Sequence, residues 1–194
     1  MLRIQPYQEH KHAADLKIAF SEIFEPTEIP YLDEFQPNLS YVCCARTGTI
    51  QGFILVKETP EGITNYEISY LGVVPRYRNK GYAKQLLEIV KRATTSDKGL
   101  SLSVLDSNVG AIKLYENSGF DLFEKFTSTE GEPASRYTFG VKYNCHDCKK
   151  VLKPIEAIWE EVTTKYLVVG GNPPLKPISE LQPKCWHCRT RIEP

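Results

Sequence analysis

The stretch "RYRNKGYAKQLL", residues 76–87, joins a run that reads as a strand to a run that reads as a helix, and it crowds Arg76, Arg78 and Lys80 against Gly81 at the junction. Upstream, "NYEISYLGVV" (residues 65–74) is rich in β-formers. After Pro75 the period changes, and Ala83, Leu86, Leu87 and Val90 fall at i, i+3, i+4 and i+7, one apolar face of a helix. A helix N-terminus carries about half a positive charge and up to about four N–H donors without intrahelical acceptors, a setting that suits a phosphate. Gly81 removes the side chain that would hold an anion away, and Arg78 and Lys80 add charge at the rim. The alternative is a solvated basic loop beside an ordinary glycine. Neither a Walker loop nor the dinucleotide pattern G-x-G-x-x-G is present.

Working outward, "LRIQPY" (residues 2–7) reads as a strand and residues 8–24 as a helix. "SYVCCA" and "TIQGFILVKE" flank the turn-like "RTGT", which predicts an antiparallel hairpin. "GLSLSVLD" returns to strand, and "NVGAIKLYENSGF" (residues 108–120) is a short helix with Asp106 or Ser107 as candidate N-cap and Gly119 as the residue that ends it. "DLFEKF" and "SRYTFGVKY" add two more strands. The sum is an α/β (α+β) fold, helices on a mixed, mostly antiparallel sheet.

The chain has 194 residues, enough for one well-buried domain with a small appendage. Lys plus Arg equals Asp plus Glu at 24 each, so no global field draws it to nucleic acid or an anionic membrane. The N-terminus lacks the apolar segment of a secretory signal, and no apolar run approaches the roughly 18 residues of a membrane span. A soluble cytoplasmic protein is expected, with the nucleus also open. In that reducing setting the six cysteines read as thiols or metal ligands. The character of the sequence changes near residue 143, where two Cys-x-x-Cys pairs and "GGNPPLKP" follow; the boundary is placed at 142/143, giving domains 1–142 and 143–194.

"YEISYLGVVPRYRNKGYAKQLL" resembles the acetyl-CoA-binding motif of the GNAT family of N-acetyltransferases, a strand running into an R/Q-x-x-G-x-G/A turn and a helix; the turn here is Arg78-Asn79-Lys80-Gly81-Tyr82-Ala83. "NVGAIKLYENSGF" resembles the family's N-x-x-A-x-x-L-Y-x-x-x-G-F signature through Asn108, Ala111, Leu114, Tyr115, Gly119 and Phe120. The resemblance covers residues 1 to about 142. It implies that the strands of "NYEISYLGVV" and "GLSLSVLD" splay apart, leaving a wedge for the pantetheine arm of acetyl-CoA. It further implies that backbone groups of Leu71, Gly72 and Val73 bond that arm like an added strand, that Asn108 also bonds it, and that Asn79, Lys80, Gly81, Tyr82, Ala83 and Lys84 hold the diphosphate.

The chemistry sets its own demands. An alkyl ammonium of pKa about 10.4 is almost wholly protonated at neutral pH, and only the free amine attacks a thioester, so a base is needed. Glu67 lies four residues before Leu71, on the same strand face if the pleat is regular; the resemblance implies the general base there, and a cross-strand ion pair is the alternative. The departing thiolate benefits from a proton donor, the role that the resemblance implies for Tyr115; a packed core aromatic is the alternative. For Asn108 the alternative is plain helix capping. Direct transfer needs no nucleophilic side chain, so Cys43 and Cys44, one pointing inward and one outward on a strand, read as structural. His10 and His12 read as part of a solvated helix face.

The second segment carries Cys145-x-x-Cys148 and Cys185-x-x-Cys188 with 36 residues between the pairs. Four thiolates suit a structural Zn²⁺; disulfides and free thiols are the alternatives. A helix ("PIEAIWEEV") and a strand ("KYLVV") are expected between the knuckles. The segment resembles a zinc ribbon in a general way, and its size alone makes a metal staple reasonable. It holds eight Lys or Arg and six Asp or Glu, and the formal −2 of a Cys₄ zinc centre cancels that excess, which argues against nucleic acid as partner. A structural cap or a protein-docking surface fits better, with Trp159 and Trp186 as candidate contacts.

The leading function is an acetyl-CoA-dependent N-acetyltransferase acting by direct transfer on a primary amine, with the acceptor on a protein. The alternatives are a non-catalytic CoA-binding and interaction module, a transferase for polyamines or aminoglycosides, and transfer of a longer acyl group.

Overall fold

The structure, a computed structural model, describes residues 3–24, 32–59, 64–94, 99–141, 143–144, 151–152, 157–163 and 179–185, the last four stretches by backbone alone. The chain divides into two compact units, Met1–Val141 and Lys142–Pro194. Among the described residues no helix is long and apolar enough to cross a membrane.

In the first unit β1 (Arg3–Pro6), β2 (Tyr41–Cys44), β3 (Ile50–Glu58), β4 (Tyr66–Val73), β5 (Leu100–Leu105), β6 (Asp121–Thr127) and β7 (Pro133–Phe139) form one sheet in the order β1-β2-β3-β4-β5-β7-β6. Every neighbouring pair is antiparallel except β4–β5. Helix α1 (Glu9–Ser21) covers one face, packing Leu16, Ala19 and Phe20 against Phe53 and Leu55. Helices α2 (Tyr82–Ala93) and α3 (Val109–Asn117) cover the other, where Leu86, Leu87, Val90 and Tyr115 meet Ile54, Ile68 and Leu102. Burying each of the three fully enclosed α2 aliphatics contributes about 1.5–3 kcal/mol, which fixes this helix against the sheet.

With both faces covered, two expectations change. Cys43 and Cys44 are both buried, Cys43 in the α2/α3 core and Cys44 in the α1 core, so neither points outward. His12 is 4 % exposed and not on a solvated face, because the buried stripe of α1 runs His12, Leu16, Ala19, Phe20. Its Nδ1 accepts the Gln8 N–H at 3.0 Å and its Nε2 lies 3.0 Å from the Gln5 amide. His10 is exposed.

Helix α3 also starts differently from expectation. Asn108 is the N-cap, its Oδ1 accepting the Ala111 N–H at 3.1 Å. Asp106 is engaged elsewhere, accepting from the Ser135 hydroxyl at 2.6 Å and pairing with Lys125 at 3.1 Å. Gly119, at φ +82°, ends the helix in the left-handed conformation that favours glycine.

In the second unit β8 (Tyr143–Asn144) pairs antiparallel with β9 (Val151–Leu152), and β10 (Ala157–Thr163) with β11 (Ser179–Cys185). The helix expected over "PIEAIWEEV" is therefore a strand from Ala157 onward. Its apolar spacing fits either period, and its Ile, Trp, Val and Thr favour the extended form. The "KYLVV" strand lies outside the described residues, as do Cys145, Cys148 and Cys188; Cys185 ends β11 in register with Ala157.

Candidate active site

The one parallel junction in the sheet is short. β4 and β5 pair only at Tyr66↔Leu100, Glu67↔Ser101 and Ile68↔Leu102, and then part. From Leu71 to Val73, β4 is bonded to β3 on one side, and its other edge is open to a cleft of about 560 Å³. The opening is a wedge whose apex lies at Ile68 and Leu102.

Three elements close the cleft around that edge. Past β4, Pro75–Tyr77 form a single 3-10 turn; Asn79 (φ 60°) and Gly81 (φ 76°) then take left-handed conformations that turn the chain into α2. The first intrahelical bond runs from the Gln85 N–H to the Gly81 carbonyl at 3.1 Å, and no side chain caps the helix. The first turn carries no acidic residue, so its N–H groups and partial positive charge face the cleft uncompensated. Gly81, Tyr82, Ala83 and Lys84 line it there, with Tyr77, Arg78 and Asn79 from the connection. Helix α3 and its N-cap contribute Asn108, Gly110, Ala111, Leu114 and Tyr115, and the turn after α1 contributes Ile23 and Phe24.

The basic residues that opened the sequence reading have separate fates. Arg78 lines the cleft and donates from Nε to the Val73 carbonyl at 3.1 Å, tying the loop to the end of β4. Arg76 is ion-paired with Glu22 at the end of α1. Lys80 lies over the Tyr77 ring, 5.4 Å from its centroid, and is not among the residues lining the cleft.

Of the residues singled out in the sequence, Leu71, Gly72, Val73, Arg78, Asn79, Gly81, Tyr82, Ala83, Lys84, Asn108 and Tyr115 meet in this cleft, while Lys80 and Glu67 do not line it. The premise for Glu67 needs correcting. Register shifts between Leu55↔Tyr70 and Val56↔Ile68, making Ser69 the extra residue of a β-bulge, so the pleat is not regular between Glu67 and Leu71. Leu71 therefore packs with Ile68 on the α2/α3 side, whereas Tyr70 packs on the α1 side. Glu67, alternating with Ile68, projects toward the α1 side and lies directly across from Lys57, with a 3.6 Å ion pair between them. The Ser69 hydroxyl is buried at the bulge with no partner among the described residues.

Tyr115 is 8 % exposed, and burial pushes its phenol up to about 12. Burial likewise pushes the Cys43 thiol up to about 12, which leaves it a protonated, unreactive core side chain at neutral pH. Sequence reasoning missed Ile23 and Phe24, whose approach is long-range. The one local sign of it is Gly72, where a Cβ would stand 2.9 Å from Ile23 Cδ1 and 3.2 Å from Phe24 Cε2.

Comparisons with known proteins identify the family and the fold in which this cleft is set. The sequence profile of the acetyltransferase (GNAT) family matches residues 10–120, more than half of the chain, and the protein belongs to that family. It is similar to the N-terminal acetyltransferase A complex catalytic subunit ard1 of Schizosaccharomyces pombe, 36% identical over 88 residues, 42% of this chain. The match spans 50% of that relative's length. Among solved structures, the NatC complex bound to Gag peptide and CoA matches with a TM-score of 0.60 at 22% identity, over 72% of this chain and 98% of that one. Arabidopsis thaliana Naa50 in complex with the bisubstrate analogue CoA-Ac-MVNAL matches with a TM-score of 0.58 at 20% identity, over 71% and 97%. These two likenesses establish the fold.

Proposed function

We infer that the protein is an acetyl-CoA-dependent N-acetyltransferase that acts by direct transfer on an amine carried by a protein. The observation that supports this best is the meeting, in one cleft, of an unpaired β4 edge with the bare N-terminus of α2. The first offers amide groups to a pantetheine arm as an added strand would. The second offers N–H donors and a dipole to a diphosphate, with Arg78 and Lys84 at its rim. Acetyl-CoA supplies an activated thioester carbonyl; the amine forms a C–N bond as the C–S bond breaks, the amine's proton passes to a base and the sulfur leaves as thiolate. Asn108, whose Oδ1 is used by the helix cap, keeps its Nδ2 donors for the arm.

In this reading the amine meets the thioester on the face of the wedge toward which Glu67 projects. Glu67 is the base in this reading, directly or through one water, with Lys57 holding its carboxylate in place. Burial pushes the Tyr115 phenol up to about 12, so it stays protonated at neutral pH and has an O–H to offer the departing sulfur. Tyr115 therefore acts by donating a hydrogen bond to the departing sulfur. The likeness to an N-terminal acetyltransferase subunit favours a protein α-amino group, whose pKa of about 8 leaves more free amine at neutral pH than a lysine does. Calorimetry with acetyl-CoA, followed by thiol release with unblocked peptides, tests the reading. Absence of coenzyme uptake by folded protein refutes it.

In the second unit, Cys145-x-x-Cys148 comes directly after β8 in the sequence and Cys185-x-x-Cys188 starts at the last residue of β11, and the Cys-x-x-Cys spacing of both pairs suits a zinc site. Four thiolates at these positions make one structural Zn²⁺ site, and the unit serves as a cap or docking surface. Elemental analysis should find about one zinc per chain; metal-free protein with all thiols titratable sinks this assignment.

A further inference from the structure

The wedge ends abruptly past Leu71. A thread along the open edge of β4 has only Tyr70 and Ser69 ahead of it before the strands rejoin at Ile68 and Leu102, roughly 7 Å at the ordinary strand rise. Whatever stands at the tip of that thread must turn out of the plane of the sheet. On the α2/α3 side it meets Ile68, Leu102 and Tyr115, all buried, with Leu71 packed against them. On the α1 side Ile23 and Phe24 stand over Gly72, so close that a single added methyl there would meet Ile23 Cδ1 at 2.9 Å. Phe24 is partly buried and packs against the α1 core. Its ring lies 4.6 Å from the ring of Phe20, which is 1 % exposed, and 5.5 Å edge-on from that of Tyr70.

We propose that Ile23 and Phe24 form the wall that limits acyl-chain length, admitting a two-carbon acyl thioester of CoA and turning away longer ones. The inference rests on the reading of the protein as an acetyl-CoA-dependent transferase and adds the residues that set its donor specificity. Phe24 carries most of the effect, because it is the bulkier of the two and is buttressed on both sides by rings. Ile23 has the closer approach to β4 and sets the height of the wall above Gly72.

The test compares acetyl-, propionyl- and butyryl-CoA on the wild type, Phe24→Ala and Phe24→Leu, reading both the dissociation constant by calorimetry and kcat/KM on one peptide amine. The wild type should favour acetyl over propionyl by about tenfold or more, as one methylene in a closed pocket requires. Phe24→Ala should erode that ratio by about tenfold in both readouts, with Phe24→Leu intermediate and Ile23→Ala shifting it in the same direction. If Phe24→Ala does not fold, as judged by thermal melting, Phe24→Leu decides. A wild type that takes butyryl-CoA as readily as acetyl-CoA, or folded variants whose ratio matches the wild type, overturns the wall while leaving the transferase reading in place. A wild type that binds none of the three thioesters overturns both.

Discussion

The two ends of the cleft are built from different materials. At the α2 end the working parts are backbone: a left-handed Asn79 and Gly81, an uncapped helix start, and an open strand edge. At the end nearer Leu71 they are side chains that approach over distance, Tyr115 from α3 and Ile23 and Phe24 from the turn after α1, with Glu67 turned away from the lining by a bulge. Backbone sites need particular residue types at fixed offsets, so they leave a local pattern. Side-chain sites need only a direction, and one inserted residue changes it.

Glu67→Gln keeps the size of the side chain and removes the base; kcat on a peptide amine should fall by about 100-fold or more while acetyl-CoA binding is unmoved. Undiminished turnover at neutral pH would return Glu67 to the role of a strand residue paired with Lys57. Gly81→Val forces a β-branched residue to φ 76°, a conformation worth about 1–2 kcal/mol in strain, and places a side chain before the helix donors. Acetyl-CoA affinity should drop roughly tenfold, and coenzyme binding at wild-type strength would show that the helix end is not the anion site. Arg78→Ala should weaken binding about fivefold, the worth of an exposed charge contact, with Lys80→Ala changing it by less than about twofold. Equal losses in titrations of the two variants would mean that the cleft's charge is diffuse, not placed by Arg78.

The smallest effect concerns α1, the helix that leads into Ile23 and Phe24. Burial, followed by the charges of Lys11 and His10, holds the His12 imidazolium form below its usual range, with Asp15 opposing, and the Gln8 N–H donated to Nδ1 requires the neutral ring. A depressed folded-state value means that the unfolded chain binds the proton more readily. The stabilisation is therefore complete above the unfolded pKa of about 6.5 and is lost as pH falls through the lower folded value. Urea unfolding between pH 7 and pH 5 should show a steeper loss for the wild type than for His12→Gln, and parallel curves would remove His12 as a contributor.

These particulars also mark what the sequence can carry. In the first unit the strands, the three helices and the Gly119 stop were readable because each rests on local periodicity or on a φ that favours glycine, whereas β10 was expected as a helix. Asn108 was readable as a cap only as an alternative, since the competition with Asp106 is settled by Ser135 and Lys125 on distant strands. His12 was misjudged because its neighbours Lys11 and His10 are charged or exposed, although its spacing to Leu16 and Phe20 already described a buried stripe. The bulge at Ser69 left no mark, because β4 reads the same with or without one surplus residue until β3 fixes the register.

The sheet is in effect two sheets, β1–β4 and β5–β7–β6, stitched at one end by three residue pairs and by the hydroxyls of Thr64 and Ser101, 2.8 Å apart. A molecule lying in the open part of that seam would bond one half and pack on the other. It would work as a rivet as well as a reagent, so amides flanking the seam should exchange with solvent far more slowly once it is filled.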